Sequence, residues 1–407
     1  MSAPAPNILW IVTTQWRAQA TGYAGDPKAR TPVLDALAAE SVNYTQAVTP
    51  HPFGPFARAA LLTGVPSPEN GVRDYFDMLP RGSRTIAHEM RARGYATAFF
   101  GKWGVGRRDP RVPLVGEEAA KVIVPEGERG GFEFFAGFEG GFQFNDPWLH
   151  GTRLPTPAKF TGYQADVLAQ QAEGWWLGGG GDPRPWFCVV SIESPHPPYA
   201  APAGPLEPGN PDGIILPANV PSGGVIEART RQELAGYYSH IEATDWSVGL
   251  LLSNLRCERD RDNTIVVFTS VHGDMHGAHG LFRKGWPHEE SVRVPLLIRS
   301  PGEPPRRADA PVSLLDLPEL TLARIENRKS KIENASAARI SMPAVVALPD
   351  QCDRVWRGVR TPTRKLVLNA DGSPWLFFDL ANDPGERVNL AADPARAAEI
   401  AALRTRV

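Results

Sequence analysis

The sequence predicts an α/β protein with a large, mostly parallel central sheet between helices and a small antiparallel subdomain at the C-terminus. Three observations lead to this prediction. Continuous apolar runs, typical of parallel strands covered on both faces, recur along the chain. Segments with helical periodicity separate these runs, with short connections between them. Towards the end the pattern becomes strand, Asp-Gly turn and strand, which indicates a hairpin.

The first quarter of the chain alternates between strand and helix. NILWIV (7–12) is a continuous apolar run that predicts a central strand. TPVLDALAAESV (31–42) has a capping threonine followed by proline, and this order predicts a helix. The further predicted elements are a strand at NYTQAVT (43–49), a short helix at ARAALLTG (57–64) that ends at Gly64, a helix at SRTIAHEMRARG (83–94) and a strand at YATAFFGKWG (95–104).

The middle of the chain has a different composition. From about 105 to 183 it is rich in Gly, Pro and aromatic residues, which is typical of long loops that cover a pocket. A helix is predicted around 160–176, followed by a glycine run at 178–181. The later predicted elements are strands at 185–194, 263–268 and 293–302, a strong helix at 230–255, and a hairpin at 364–380 followed by a helix.

These elements suggest three parts. Residues 1–305 are predicted to form the α/β domain, and 351–407 a small hairpin-plus-helix subdomain. Residues 306–350 carry a charged, low-complexity patch, so we expect a mobile connection there.

The amino-acid composition excludes several classes of function. The chain has 407 residues, of which 42 % are apolar and 22 % charged, as in an ordinary soluble domain. The net charge of −2 predicts no affinity for nucleic acid or acidic membranes, so any anion site must be local. The N-terminus lacks a basic leader and its apolar run is short, so a cytoplasmic location is expected. Three separate cysteines, Cys188, Cys257 and Cys352, predict buried residues without a disulfide or zinc site.

Five polar segments follow predicted strands or open predicted helices. In α/β sheets ligands bind beyond the carboxyl ends of the strands, so we expect these segments to surround one pocket. They are TTQWR (13–17), HPFGPFARAALLTG (51–64), GKWGVG (101–106), SPHPPY (194–199) and TSVHGDMHGAHGLFRKG (269–285).

This ordered set, with NILWIV before it and NDPGERVNLAADP after it, resembles the type I sulfatases and related phosphonate hydrolases of the alkaline phosphatase superfamily. The resemblance covers nearly the whole chain and implies an alkaline-phosphatase/sulfatase-like fold. Family sulfatases hydrolyse sulfate esters with a formylglycine made from Cys or Ser in a C-x-P-S-R motif. Beside it they hold one divalent metal, usually calcium, with carboxylates and an amide or imidazole.

The resemblance also exposes four departures. Thr14 stands where the family has its first metal carboxylate, with Gln15 retained beside it. Gly54 takes the nucleophile position, and glycine has no side chain that can attack a substrate. Gly104 replaces a histidine, and Val271 replaces the aspartate before His272. Asp274 is the one acidic residue that could in principle swing in as a ligand, but the family motif carries it in addition to the missing ligand, so we do not expect it to restore the metal site; whether Asp274 or His272 supports weak metal binding stays open from the sequence. We therefore predict no calcium or magnesium, no other cofactor and no covalent step from position 54.

The retained residues are mostly cationic. By resemblance, His196, His272, Lys102 and Lys284 are the candidate catalytic residues. The ordinary alternative for each lysine is a solvated surface position, and for each histidine, including His276, a packed structural one. The candidate substrate-binding residues are Arg58, Gln15, Thr14, His51 and His279.

Three functional hypotheses remain open from the sequence. The first is a repurposed, metal-independent enzyme that acts on an anionic or carbonyl small molecule by His/Lys acid-base chemistry. The second is a pseudo-sulfatase that binds an anionic ligand or a partner protein without catalysis. The third is residual hydrolysis of sulfate or phosphate esters by a water nucleophile. Under all three hypotheses we expect a small anionic ligand or a protein partner, and binding to neither nucleic acid nor membrane. The sequence leaves the oligomeric state open.

Overall fold

The computed structural model describes residues 5–177, 182–256 and 261–407. Its strands are β1 Asn7–Thr13, β2 Val42–Tyr44, β3 Ala47–Val48, β4 Ala96–Lys102, β5 Phe134–Phe138, β6 Trp148–Gly151, β7 Ala158–Lys159, β8 Trp186–Ser191, β9 Thr264–Ser270, β10 Leu296–Arg299, β11 Arg306–Ala308, β12 Val312–Ser313, β13 Ala338–Met342, β14 Trp356–Arg360, β15 Arg364–Asn369 and β16 Pro374–Asp379. Its helices are α1 Pro32–Ala39, α2 Gly54–Thr63, α3 Ile86–Ala92, α4 Glu117–Ala120, α5 Gln164–Leu177, α6 Gly224–Arg256, α7 Glu289–Val292, α8 Leu317–Ile325 and α9 Ala397–Arg404.

A ten-stranded sheet forms the centre of the described chain, in the order β11-β2-β10-β9-β1-β8-β4-β5-β6-β7. Strand β1 lies between β8 and β9 and is parallel to both, and β4 and β5 continue the parallel part. Strands β10, β6 and β7 are antiparallel to their neighbours. The predicted fold class, a mostly parallel sheet with a small antiparallel C-terminal sheet, is confirmed.

The apolar runs form strands because both faces of the sheet are covered. Side chains of β1 alternate between two cores, with Ile8 and Trp10 on one side and Leu9 and Ile11 on the other. Helices α2, α3 and α8 pack in the first core, and α1, α5 and α6 in the second. A strand buried on both faces needs apolar residues at every position, which explains the runs.

Several predicted boundaries need correction. The single strand predicted at 43–49 is two short strands, and β3 leaves the large sheet to pair with β12. Helix α2 begins at Gly54, three residues before the predicted start at 57, and α6 begins at Gly224 instead of 230. The predicted glycine run at 178–181 lies outside the described residues.

The segment 306–350, predicted as a mobile connection, contains regular elements. Strand β11 pairs with β2 in the large sheet, and β13 pairs with β14 in the C-terminal sheet. Cys188 and Cys352 are buried free thiols, as predicted, whereas Cys257 lies outside the described residues. Among the described residues, no helix combines the length and apolarity needed to cross a bilayer.

The C-terminal sheet, β13-β14-β15-β16, contains the predicted hairpin as β15 and β16. Its side chains hold the backbone of a neighbouring loop. The Trp356 indole donates to the Gly285 carbonyl at 2.8 Å, and the Lys365 ammonium donates to the Pro287 carbonyl at 2.8 Å. The Cys352 amide donates to the Lys284 carbonyl at 3.3 Å. The small sheet therefore fixes residues 284–287, which border the site described below.

Lys365 is also the centre of a buried charge cluster. Its fully buried ammonium lies 2.9 Å from Glu289 Oε1 and 2.6 Å from Glu386 Oε1. Arg360 pairs with Glu289 at 3.0 Å. Burial raises the pKa of Glu386 to about 7, whereas for Glu289 the nearby Arg360 and Lys365 outweigh burial and hold the pKa well below its usual range. Removing one member of such a cluster leaves its partners buried without compensation.

We expect Lys365→Met to lower the free energy of unfolding by about 3–5 kcal/mol, because Glu289 and Glu386 would lose their shared ammonium. Urea denaturation followed by tryptophan fluorescence measures the effect. Arg328→Met is the control: it breaks a pair with Glu319 that is 41 % exposed on each side, so a loss below about 1 kcal/mol is expected. Equal losses in the two variants would contradict the proposed importance of the buried cluster.

Candidate functional site

The carboxyl ends of β1, β4, β8 and β9 meet at one edge of the sheet, as their parallel order requires. A cavity of about 770 Å³ opens there, bordered also by the first turn of α2. Twelve of the residues that line it come from the five segments singled out in the sequence: Thr14, Phe53, Gly54, Pro55, Arg58, Lys102, Gly104, His196, Pro197, His272, Arg283 and Lys284.

Lys284 is the buried cation of this cavity. Its Nζ donates to Gln15 Oε1 at 2.5 Å and lies 3.2 Å from His196 Nε2. The His196 Nδ1 lies 2.8 Å from the Pro197 carbonyl, which can only accept, so Nδ1 carries the proton and Nε2 presents its lone pair to Lys284. Burial lowers the pKa of Lys284 to about 7 and holds the pKa of His196 well below its usual range. Lys284 therefore exchanges its proton near neutral pH, beside a neutral imidazole.

Gln15 links Lys284 to a buried carboxylate. Its amide Nε2 donates to Asp274, and Tyr199 OH donates to the same carboxylate oxygen at 2.6 Å. The other oxygen of Asp274 accepts from the His276 amide at 3.1 Å. Burial would raise the pKa of Asp274, but His276, Arg283, the hydrogen bond from Tyr199 and the charge of Lys284 lower it to about 2. Gln15 has a φ of 68°, a strained conformation that its hydrogen bonds must stabilise.

Arg58 and Thr14 form the floor of the cavity. The guanidinium donates to Ser191 Oγ at 2.6 Å, to the Lys102 carbonyl at 3.0 Å and to Thr14 Oγ1 at 2.7 Å. Burial lowers the pKa of Arg58 to about 10, so the side chain stays charged at neutral pH. Arg58 thus supplies a fixed positive charge below the cavity, with its orientation set by three acceptors.

Lys102 has a partner that sequence reasoning missed. Its Nζ lies 2.8 Å from Glu193 Oε1, and Glu193 accepts a further hydrogen bond from Gln164 Nε2 at 3.2 Å. Lys102 also lies 4.6 Å from the ring centroid of Phe142, which stacks on His196 at 4.4 Å. A signal was available, since Glu193 is a charged residue directly after the apolar run of β8. A buried carboxylate at a strand end indicates a paired cation.

His272 and Gly54 face each other across a small space. The His272 Nδ1 donates to the Gly273 carbonyl at 2.9 Å, so Nε2 is unprotonated, and this buried nitrogen has no hydrogen-bond partner among the described residues. A Cβ at Gly54 would meet only that nitrogen, at 4.0 Å. At Gly104, by contrast, φ is 67° and a Cβ would lie 2.8 Å from Arg58 Cδ. Packing requires glycine at position 104 but not at position 54.

Two predicted binding residues lie outside the lining of this cavity. His51 Nε2 accepts from the Ser67 amide at 2.9 Å, and its Nδ1 faces the Ser341 carbonyl at 3.2 Å. His279 stacks on His288 at 4.4 Å. These rings contact other protein segments and not the cavity lining, so a role of His51 and His279 in substrate binding stays a prediction. Lys102, His196, His272, Lys284, Arg58 and Thr14 line the cavity as expected, and Gln15 contacts it through Lys284.

Comparison with known proteins identifies the family. The Sulfatase family model matches residues 6–323. The chain belongs to the sulfatase family. The Ulvan-active sulfatase of Formosa agariphila is 34 % identical over 96 % of this chain and 78 % of its own length. The choline-sulfatase of Rhizobium meliloti is 28 % identical over 98 % of this chain and 83 % of its own.

Solved structures agree with the fold of this sulfatase-family chain. The putative sulfatase yidJ from Bacteroides fragilis superposes with a TM-score of 0.84 at 24 % identity, covering 100 % of this chain and 95 % of that one. The phosphonate monoester hydrolase of Agrobacterium radiobacter gives a TM-score of 0.74 at 22 % identity, covering 98 % and 94 %. The resemblance to sulfatases and phosphonate hydrolases is thereby confirmed.

The donor set at the family's metal positions does not fit a hard divalent cation. The Thr14 hydroxyl is engaged by Arg58, and Gln15 Oε1 accepts from the Lys284 ammonium. Val271 is fully buried in the apolar core. Asp274 is the nearby carboxylate, and it already accepts from Gln15, Tyr199 and the His276 amide. Calcium and magnesium need several charged or carbonyl oxygens, so this sulfatase-family site lacks the ligands that such an ion requires.

The structure has room for a side chain at position 54 but not at position 104, and alanine substitutions of the two glycines test this difference. We expect Gly54→Ala to leave the free energy of unfolding unchanged or to raise it by up to about 1 kcal/mol, because Gly54 opens α2 and nothing but His272 Nε2 lies within reach. Gly104→Ala should destabilise by at least about 1 kcal/mol, because its φ is positive and Arg58 lies in the way. Urea denaturation of both variants gives the comparison. A loss at Gly54 as large as at Gly104 would contradict it.

The lowered pKa of Lys284 predicts a pH dependence of stability. The folded-state pKa is about 7, against 10.5 for an ordinary lysine, so between these values the unfolded state binds more protons and stability must rise with pH. From pH 7 to 9 the wild type should gain about 2 kcal/mol relative to Lys284→Met. Urea denaturation at the two pH values provides the measurement. Lys159→Met, at an exposed lysine, is the control and should keep the wild-type pH dependence. If the free energy of unfolding of Lys284→Met changed with pH in the same way as that of the wild type, the prediction would be refuted.

Proposed function

We propose that this sulfatase-family chain is a metal-independent enzyme that binds a small organic anion and uses Lys284 and His196 for general acid-base chemistry. The observation that carries the proposal is the contact of 3.2 Å between Lys284 Nζ and the unprotonated His196 Nε2. A pKa of about 7 at Lys284 is the value that general acid-base catalysis favours near neutral pH.

Anion binding rests on the distribution of charge. Lys102 is neutralised by Glu193, but no carboxylate of the described residues lies within ion-pair distance of Lys284 Nζ. Arg58 adds a fixed positive charge, and α2 begins at Gly54 with its N-terminus at the cavity, where the helix dipole favours an anion. A buried ammonium without a carboxylate partner is stabilised by an anionic ligand.

The comparisons support a sulfated or similarly charged ligand. A neighbour with a TM-score of 0.82 and 20 % identity is titled as BT4656 in complex with its substrate D-glucosamine-2-N,6-O-disulfate. The relatives described above carry the names of sulfatases. These names favour an oxyanion as the group that Lys284 and Arg58 contact in this chain.

The acid-base step follows from the protonation states. Protonated Lys284 donates its proton to an oxygen of the bound substrate, and neutral His196 accepts a proton from the substrate at Nε2. The imidazolium formed in this way then returns that proton to the Lys284 amine, which lies 3.2 Å from Nε2. Because His196 is buried and its pKa is lowered, it acts as a base with little competition from protonation by solvent. Proton abstraction next to a carbonyl, elimination and isomerisation are reactions that such a pair can carry out without a covalent intermediate.

A second candidate function, hydrolysis of a sulfate ester by water, is favoured by one observation. The unprotonated, partnerless His272 Nε2 faces the space in front of Gly54, where it could remove a proton from a water molecule. This route needs no side chain at position 54. The names of the relatives also favour hydrolysis.

We expect the chelator-treated protein to exchange or convert C–H groups of a small anion in a mixture of carboxylates, phosphate esters and sulfate esters in D₂O. Proton NMR detects the loss of signal, and Lys284→Met and His196→Gln should each lower the rate at least about 100-fold, because each removes one proton carrier. Lys159→Met is the matched control and should retain the wild-type rate.

The same samples distinguish the alternatives. Release of 4-nitrophenolate from 4-nitrophenyl sulfate, lost in His272→Gln, would favour hydrolysis over the main proposal. Binding of 4-nitrophenyl sulfate without conversion of any component would favour a pseudo-sulfatase. Activity that appears only after calcium is added would overturn metal independence.

A further inference from the structure

We infer that the anion bound by this cavity carries a large apolar group, so that the ligand is an amphiphilic organic anion, such as an alkyl or aryl sulfate, and not a fully polar sulfated sugar. The inference rests on the proposed anion site and adds the class of substrate. It depends on the apolar part of the cavity lining, beyond Lys284 and Arg58, and the proposed chemistry does not use this part.

The first observation is an apolar cluster on one wall. Within the segment 112–123, five branched aliphatic side chains line the cavity, and two of them are strongly exposed: Val115 by 61 % and Ile123 by 45 %. Exposed apolar residues that cluster at a cavity mark a binding surface, whereas scattered ones carry no such meaning. The five are Val112, Leu114, Val115, Val122 and Ile123.

A second set of apolar residues lines the cavity from other parts of the chain. Phe53 and Tyr75 meet edge to face at 5.7 Å, and Leu348 and Pro349 contribute from the chain just before the C-terminal sheet. A ligand group that contacts both sets of apolar side chains is removed from water. A volume of about 770 Å³ accommodates such a group in addition to the anionic head.

The aliphatic wall is anchored to the rest of the fold. Val115 forms a bridge with Gly141, and the Gly116 amide donates to the Gly141 carbonyl at 3.0 Å. Arg108, just before the wall, pairs with buried Glu139 at 2.9 Å and donates to the Tyr75 carbonyl at 2.7 Å. These contacts attach the aliphatic wall to Gly141, Glu139 and Tyr75.

Three charged groups that line the cavity are held in ion pairs. Arg81 pairs with Glu128 at 2.7 Å, Asp109 with Arg111 at 2.7 Å, and Asp350 with Arg229 at 2.7 Å. A polar sugar needs donors and acceptors for each hydroxyl that it buries, and these pairs would have to be broken to supply them. An apolar group requires no such change.

The experiment measures affinity along a series of n-alkyl sulfates. Butyl, hexyl and octyl sulfate are titrated calorimetrically below micelle-forming concentrations, with inorganic sulfate as the head group alone. Burial of the chain between the two walls should strengthen binding by about threefold to fourfold for each added methylene. Lys284→Met should weaken every member of the series by a similar factor, because it removes the contact with the head.

The double variant Val115→Ser/Ile123→Ser tests the wall directly. Both side chains are exposed, so the fold should persist, while the gain in affinity per methylene should fall at octyl sulfate. Val388→Ser is the matched control, because Val388 is an apolar residue of similar exposure, 57 %, and is not part of the cavity lining. It should keep the wild-type dependence on chain length.

The outcomes separate the two proposals. If inorganic sulfate and butyl sulfate bind but longer chains bind no better, the amphiphile inference is wrong and the anion site stands. An undiminished gain per methylene in the double variant would also overturn the inference, because the chain would then lie elsewhere. Absence of binding for the whole series, inorganic sulfate included, would overturn the proposed anion site together with the inference.

Discussion

The hydrogen bond from the Lys284 ammonium to Gln15 Oε1 is the interaction on which the rest of this site depends. It places a buried cation against the one polar side chain retained at the strand end where sulfatases hold their metal, and Gln15 in turn contacts Asp274. Charge balance explains the arrangement. With threonine and valine at two carboxylate positions, a divalent ion would be poorly compensated, whereas a single ammonium near Asp274 requires much less negative charge.

This interaction is held in place by residues distant in sequence. The Cys352 amide fixes the Lys284 carbonyl, and Trp356 and Lys365 fix the next residues of the same loop. The Gly285 amide donates to the Pro52 carbonyl at 2.9 Å, just before α2 begins. The small C-terminal sheet therefore positions both the cation and the helix N-terminus of the site. A subdomain that contributes few residues to the cavity still determines its geometry.

The sequence predicted the elements whose burial is local and missed features that depend on partners far away in the chain. The apolar runs of β1, β8 and β9 and the polar residues after them were sufficient to predict the sheet and the position of the cavity. The pairing of β11 with β2 joins segments more than 250 residues apart, and no local pattern in 306–350 reveals it. The location of His51 outside the cavity lining was not predictable, because a histidine near a binding segment has the same sequence signal whether it faces the cavity or a backbone carbonyl. Glu193 has no sequence motif of its own, but a buried lysine such as Lys102 requires an acidic partner, and a carboxylate directly after β8 is in a position to supply it.

The four departures from the family pattern are mutually consistent in the structure. Thr14 accepts from Arg58, Val271 packs in an apolar core, and Gly104 leaves room for the Arg58 side chain. Among the described residues that line the cavity, the buried nitrogens that lack hydrogen-bond partners are His272 Nε2 and Arg58 Nε. Each faces a glycine: a Cβ would lie 4.0 Å from the first at Gly54 and 3.0 Å from the second at Gly104. Packing requires the glycine at position 104 but not the one at position 54, so the partnerless His272 nitrogen beside Gly54 marks the point where a ligand atom would complete the site.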